Sequence, residues 1–199
     1  MTDKIQTTLR DSAAMRWTAL LLLSLAMFCA YIFVDILSPI KELMQEQRGW
    51  DSTAFGTMQG SETFLNVFVF FLIFAGIILD KMGVSFTAIL SGAVMLTGAL
   101  IKYYAISDSF AGSALDIWFT DHLNHIPVFE QLGVSPFYEG MPASAKVAAC
   151  GFMIFGCGTE MAGITVSRGI VKWFKGREMA LEMGSEMALA RLGVATCMI

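Results

Sequence analysis

The chain has 199 residues, 56% of them hydrophobic and 15% charged, with a mean hydropathy of +0.64 and a formal net charge of −4. Soluble domains carry about 25% charged residues, so the composition excludes an ordinary water-exposed globule and makes a bilayer the fitting solvent. No Lys/Arg-rich run with interleaved aromatics occurs, which leaves nucleic acid without support as a partner.

In chain order, a polar segment of mixed charge, Met1–Arg16, precedes an apolar run over Trp17–Ile40. That run is too long for a signal-peptide core and has no clear small-residue cleavage site, so it is predicted to stay as a membrane helix. A short polar link, Lys41–Ser52, leads to a second helix over Thr53–Leu79. The tight connection Asp80-Lys81-Met82-Gly83 leads to a third over Val84–Ile106. A long segment, Ser107–Ser144, separates it from a fourth over Ala145–Val171. A second tight connection, Lys172–Arg177, opens a fifth helix that runs from Glu178 to Ile199. Each of the first four supplies the ~20 residues that a bilayer crossing needs. The fifth is still running at Ile199, so the sequence reads as the front part of a longer protein. The expected fold is all-α: a polytopic membrane helix bundle truncated in its fifth transmembrane helix.

Charge sets the expected orientation. The N-terminal tail and the two tight connections carry Lys4, Arg10, Arg16, Lys81, Arg168, Lys172, Lys175 and Arg177. The opposite ends carry Lys41, Arg48, Lys102 and Lys146, and the 107–144 loop has acids but no Lys or Arg. The bias of basic residues toward the cytoplasm predicts a cytoplasmic N-terminus, cytoplasmic tight turns and an extracytoplasmic acidic loop, in a cell (inner or plasma) membrane.

Ionisable residues inside spanning helices are costly and are functional hypotheses by default. Glu160 lies twelve residues before Lys172, and Arg191 fourteen after Arg177. At ~1.5 Å per residue they sit roughly 18 Å and 21 Å from the same turn, level with one another near the midplane. Two readings follow: an ion pair that only locks two helices, or a pair that binds the two charged ends of a zwitterionic solute. Glycines at 156, 158 and 163 let a backbone or a solute come close. Glu182 and Glu186 add carboxylates four residues apart on the fifth helix. Asp35 and Glu62 both lie roughly 27 Å from the cytoplasmic side. They are candidates for proton coupling, or for simply reaching the interface.

Other residue types carry less. Cys29, Cys150, Cys157 and Cys197 lie in apolar stretches without metal-ligand spacing and read as packing residues. Asp121-His122-Leu123-Asn124-His125 in the loop could form a metal corner, but no Cys and no second cluster accompany it, and it reads as solvated loop. No cofactor or metal is expected. A catalytic role has no support, because no membrane-embedded His and no Cys–His arrangement is present.

At Gly76-Ile77-Ile78-Leu79-Asp80-Lys81-Met82-Gly83 the sequence resembles the signature between helices two and three of the major facilitator superfamily. Val84 and Ser85 stand where that family often has two more basic residues. From Gly156 to Gly193 the sequence resembles the MFSD-type dipeptide transporter branch and its bacterial relatives. The resemblance is carried by Gly156-Cys157-Gly158-Thr159-Glu160, Trp173-Phe174-Lys175-Gly176-Arg177-Glu178 and Ala190-Arg191-Leu192-Gly193. Thr159 and Glu186 depart from the branch's usual Gly and amide. The resemblance implies the N-terminal half of a transporter of two six-helix halves that rock about a central site. It implies substrate contacts from Glu160 and Arg191, with Glu186 beside them. It implies a gating set of Gly76, Asp80, Lys81, Gly83 and Arg168. Glu62, Asp35 and Glu182 are the proton-coupling candidates.

The expected function is therefore secondary transport, as symporter or uniporter, of a small charged or zwitterionic solute such as a peptide or amino acid. The partners are that solute, a proton where transport is coupled, the lipid bilayer and the remaining helices of the transporter. The alternative is a membrane sensor or scaffold that binds a ligand without moving it.

Overall fold

The structure, a computed structural model, describes residues 12–174 and 179–197, and no β-strand occurs among them. Lys4, Arg10, Lys175, Gly176, Arg177, Glu178 and the final two residues lie outside the described residues. Helix α1 spans Ala13–Asp35 and is capped by Ser12, whose hydroxyl accepts from the Met15 amide at 3.4 Å. Pro39 falls in a single 3-10 turn, Ser38–Ile40, that passes into α2, Lys41–Arg48. Helix α3, Ser52–Gly60, begins at Asp51, whose Oδ1 accepts from the Ala54 amide at 2.7 Å. Then come α4 (Phe64–Phe68), α5 (Phe71–Ile106), α6 (Ala114–Asp121), α7 (Pro127–Gln131), α8 (Ala143–Phe174) and α9 (Met179–Cys197).

Three helical stretches among the described residues are long and apolar enough to cross a membrane: Ala13–Arg48, Phe71–Ile106 and Ala143–Phe174. The predicted second and fifth helices differ from this set for physical reasons. The predicted second helix is interrupted by a 3-10 turn at Ser61–Thr63 and by Phe70 in the left-handed region at φ 54°. Helix α9 places Glu182, Glu186 and Arg191 within nineteen residues.

Contacts with α8 show how the chain is threaded. Trp50 Nε1 donates to Ser144 Oγ, Ser61 Oγ to the Ala149 carbonyl, and Asn66 Nδ2 to the Gly156 carbonyl; Asp80 pairs with Arg168. Both numbers rise together, so residues 50–80 run parallel to α8. On the other arm of α5, Gly98 faces the backbone of Gly151 and Phe155, and Gly151 faces the Lys102 amide. There the numbers run in opposite senses, so residues 84–106 are antiparallel to α8. Continuous as its helical hydrogen bonding looks, α5 is thus a hairpin. It reverses at Gly83, whose φ of 80° and ψ of 173° lie in a region open essentially to glycine alone.

The remaining helices complete an up-and-down bundle. The Trp17 ring meets Phe174 and the Phe33 ring meets Phe155, so α1 is antiparallel to α8. Gly193 packs on the Phe28 carbonyl and Cys197 Sγ donates to the Ile32 carbonyl, so α9 runs parallel to α1. One apolar core gathers at the loop end of the bundle around Trp50, Met58, Phe110, Phe137 and Phe152. A second joins Leu20, Met27, Val166, Ile170, Phe174 and Ala190 toward the opposite end.

The acidic loop is tied down at several points. Lys146, fully buried, donates from Nζ to the carbonyls of Phe119 (2.7 Å) and His122 (3.1 Å) and to Asn124 Oδ1 (2.6 Å). A cation at the carbonyl end of α6 satisfies groups that the helix leaves unpaired. Arg48 pairs with Asp108 at 2.6 Å, and the Phe129 ring packs against Phe64 at 4.8 Å. His122 stacks on Trp118 and His125 approaches Glu130 at 3.7 Å. Among the described residues no three metal-ligating side chains come together.

Tyr138 OH donates to Asp51 Oδ1 at 3.1 Å, which fastens the loop to the start of α3. Burial, and then the carboxylate that accepts its proton, push the Tyr138 phenol up to about 12. A phenol raised on folding contributes stability that is fully present below the unfolded value of ~10 and is lost as the pH climbs through 12. In a tyrosinate absorbance titration, Tyr138→Phe is expected to remove a step near pH 12; an unchanged step would mean that Tyr138 titrates normally.

Candidate functional site

Charged side chains from three parts of the bundle act electrostatically on Tyr31 of α1. Its hydroxyl lies within electrostatic reach of Arg191 and Glu186 from α9, Glu160 from α8 and Glu62 from the Ser61–Thr63 turn. Tyr31, Glu62, Glu160 and Glu186 are half-buried and Arg191 is exposed. The register explains the convergence. Gly193 sits on the Phe28 carbonyl, so Arg191, half a turn earlier, lies near that level of α1. Phe33 meets Phe155, which brings Glu160 past Tyr31 on the antiparallel helix.

Glu62 is positioned by backbone packing. A Cβ at Gly156 would collide with the Glu62 carbonyl, so only glycine lets the 61–63 turn lie on α8. One turn further on, Asn66 donates to the Gly156 carbonyl at 3.3 Å. Side chains of the broken segment thus reach across to carbonyls of α8. Ser61 Oγ donates both to the Met58 carbonyl at 2.6 Å and across to the Ala149 carbonyl at 3.1 Å.

Ion pairs among the described residues are Arg48–Asp108 and Arg168–Asp80, with His125 near Glu130; none of these joins Glu160 to Arg191.

Asp35 closes α1 further toward the loop. Its Oδ1 accepts from Gln59 Nε2 at 3.3 Å and from Ser38 Oγ at 3.5 Å. Glu182 is elsewhere. It is fully buried, its carboxylate has no hydrogen-bond donor among the described residues, and the α1–α9 register sets it beside residues 16–20. That is about three to four turns from the level of Tyr31.

The signature residues of the first tight connection gather at the opposite end. Arg168 Nη1 lies 2.5 Å from Asp80 Oδ1, with both side chains more than half exposed. Lys81 is exposed, Gly76 has open space at its Cβ position, and Gly83 makes the reversal. An open cleft of about 590 Å³ lies here, lined by Leu79, Asp80, Gly83, Val84, Arg168 and Lys172. This cleft is distinct from the Tyr31 cluster, whose residues do not line it.

Two residues were undervalued by sequence reasoning. Tyr31 stands at the centre of the charge set, yet a single Tyr in an apolar run gives no sign of which neighbours it meets. Lys102 reads as a basic flank of the third helix but is buried to 1% exposure, its Nζ 3.6 Å from the centre of the Phe152 ring. Its only sequence signal is that four apolar or aromatic residues, Tyr103–Ile106, still follow it.

Comparison with protein-family models, with curated proteins and with solved structures finds no match for this chain.

The turn at Asp80–Gly83 separates two kinds of contribution. Gly83→Ala forces an L side chain into a glycine-only conformation at a cost of about 1–3 kcal/mol. Asp80→Asn removes an exposed ion pair worth about 0–1 kcal/mol. Thermal unfolding in detergent should show the glycine substitution as clearly the more damaging; equal midpoints would refute the conformational account of the turn.

Proposed function

We propose that the protein takes part in secondary transport of a small charged or zwitterionic solute, peptide- or amino-acid-like, by alternating access. The observation that carries this reading is the set of charges around Tyr31: Glu160 and Arg191 lie within reach of one hydroxyl but are not paired with each other. Unpaired charges at membrane depth are expensive to keep and point to a bound partner or a pathway. Arg191 would take the carboxylate end of the solute, two-pronged where geometry allows. Glu160 would take an ammonium, with Glu186 close by. Glu62 and Asp35 would carry a coupling proton where there is one, and Asp80 with Arg168 would form part of a gate.

The resemblance to the major facilitator superfamily supports the same reading. It places the opposite wall of the cleft on further helices. It also puts the Asp80–Arg168 end in the cytoplasm, in agreement with the distribution of basic residues.

Uptake of labelled amino acids and dipeptides by the full-length protein in liposomes tests the assignment. Losing one charge-assisted contact is worth about 1.5–3 kcal/mol, so Arg191→Ala and Glu160→Gln should each reduce uptake roughly 10- to 100-fold. Undiminished uptake in both variants would remove these residues from the site. Solute binding without any uptake would instead assign a non-transporting sensor or scaffold.

A further inference from the structure

Lys102, on the second arm of α5, is 1% exposed and its ammonium has no hydrogen-bond acceptor among the described residues. The Nζ rests 3.6 Å from the centroid of Phe152 on α8 and 5.0 Å from that of Phe33 on α1. Aromatic faces attract a cation, but much less strongly than burial penalises one. The balance has to come from anionic side chains.

Two are in place. Glu62 and Asp35 both lie within electrostatic reach of Lys102. The geometry accounts for this. The Lys102 backbone crosses α8 at Gly151, and the Glu62 backbone lies on α8 at Gly156. The Lys102 Nζ, however, reaches round to Phe152, which stands four residues before Gly156 and so one turn away on the same face of α8, roughly 6 Å along the helix. Asp35 follows Phe33 by two residues on α1 and is held by Gln59 of α3 at 3.3 Å. Neither carboxylate has an ion-pair partner within contact distance among the described residues.

We infer that Lys102 is a built-in counter-cation: held between Phe152 and Phe33, it supplies the positive charge that lets Glu62 and Asp35 stay in this apolar corner. It is a positioning residue, acting through those two carboxylates. The role does not rest on transport. It follows from the charge balance of the bundle, and its failure would leave the reading of Glu160 and Arg191 as it stands.

The test is a set of thermal midpoints for the purified protein in detergent. Lys102→Met keeps the side-chain bulk but removes the charge, and should lower the midpoint by about 5 °C or more. Adding Glu62→Gln to it should recover at least about half of that loss, because the uncompensated carboxylate goes as well. Lys102→Arg, which keeps the charge, should stay closer to the parent than Lys102→Met does. A residue that only fills space would not be rescued by Glu62→Gln. Should Lys102→Met fail to accumulate, recovery of folded protein by the Lys102→Met/Glu62→Gln or Lys102→Met/Asp35→Asn pair supports the inference. An unchanged midpoint in Lys102→Met, strictly additive losses, or no recovery with either second substitution overturns it.

Discussion

Close approach of backbones on opposite sides of α8 is the constraint on which the rest of the bundle depends. In lipid the apolar side chains gain nothing by leaving their solvent, so helices associate through intimate packing at small residues and through a few polar contacts. Helix α8 supplies both. It presents glycine where residues 61–63 and 98–102 must touch it, and bare carbonyls at Ala149 and Gly156 where Ser61 and Asn66 need acceptors. Both arms of α5, the broken segment before it and α1 are placed by contacts with that one helix. The charges on those elements have no freedom to sit anywhere else.

Burial of polar groups follows a consistent rule in this chain. Hydroxyls within α8 return to their own helix, Thr159 Oγ1 donating to the Phe155 carbonyl and Thr165 Oγ1 to the Met161 carbonyl, each four residues back, whereas Ser61 Oγ also reaches across to the Ala149 carbonyl. Ammonium groups are met either by carbonyls, as Lys146 is, or by aromatic faces, as Lys102 is. Carboxylates are treated differently. Glu62, Glu160 and Glu186 are left half-buried around a tyrosine, and Asp80, at the far end, is paired in the open.

Much of this was legible in the sequence, for reasons that differ by element. The apolar stretches read clearly because a bilayer imposes a minimum length on them, and the Asp80–Gly83 connection because a reversal that tight needs glycine. Rotation about a helix axis was not legible. Lys102 and Lys146 are both basic residues near the end of an apolar run, yet one points between Phe152 and Phe33 and the other under the end of α6. The interruption at Ser61–Phe70 was also hidden. It depends on Gly156, nearly ninety residues away, and no local propensity announces a contact at that distance. Glu182 reads as a companion of Glu186 at helical spacing, but the α1–α9 register takes it to a separate environment.

The length of α8 has a mechanical consequence. Its 32 residues measure roughly 48 Å at ~1.5 Å each, against a hydrocarbon slab about 30 Å thick. Such an excess is accommodated by tilt, by protrusion or by local thickening of the lipid, each at a modest cost per ångström. Because Lys146 holds the α6 end of the loop and Arg168 holds Asp80, a tilt of α8 carries both ends of the bundle with it.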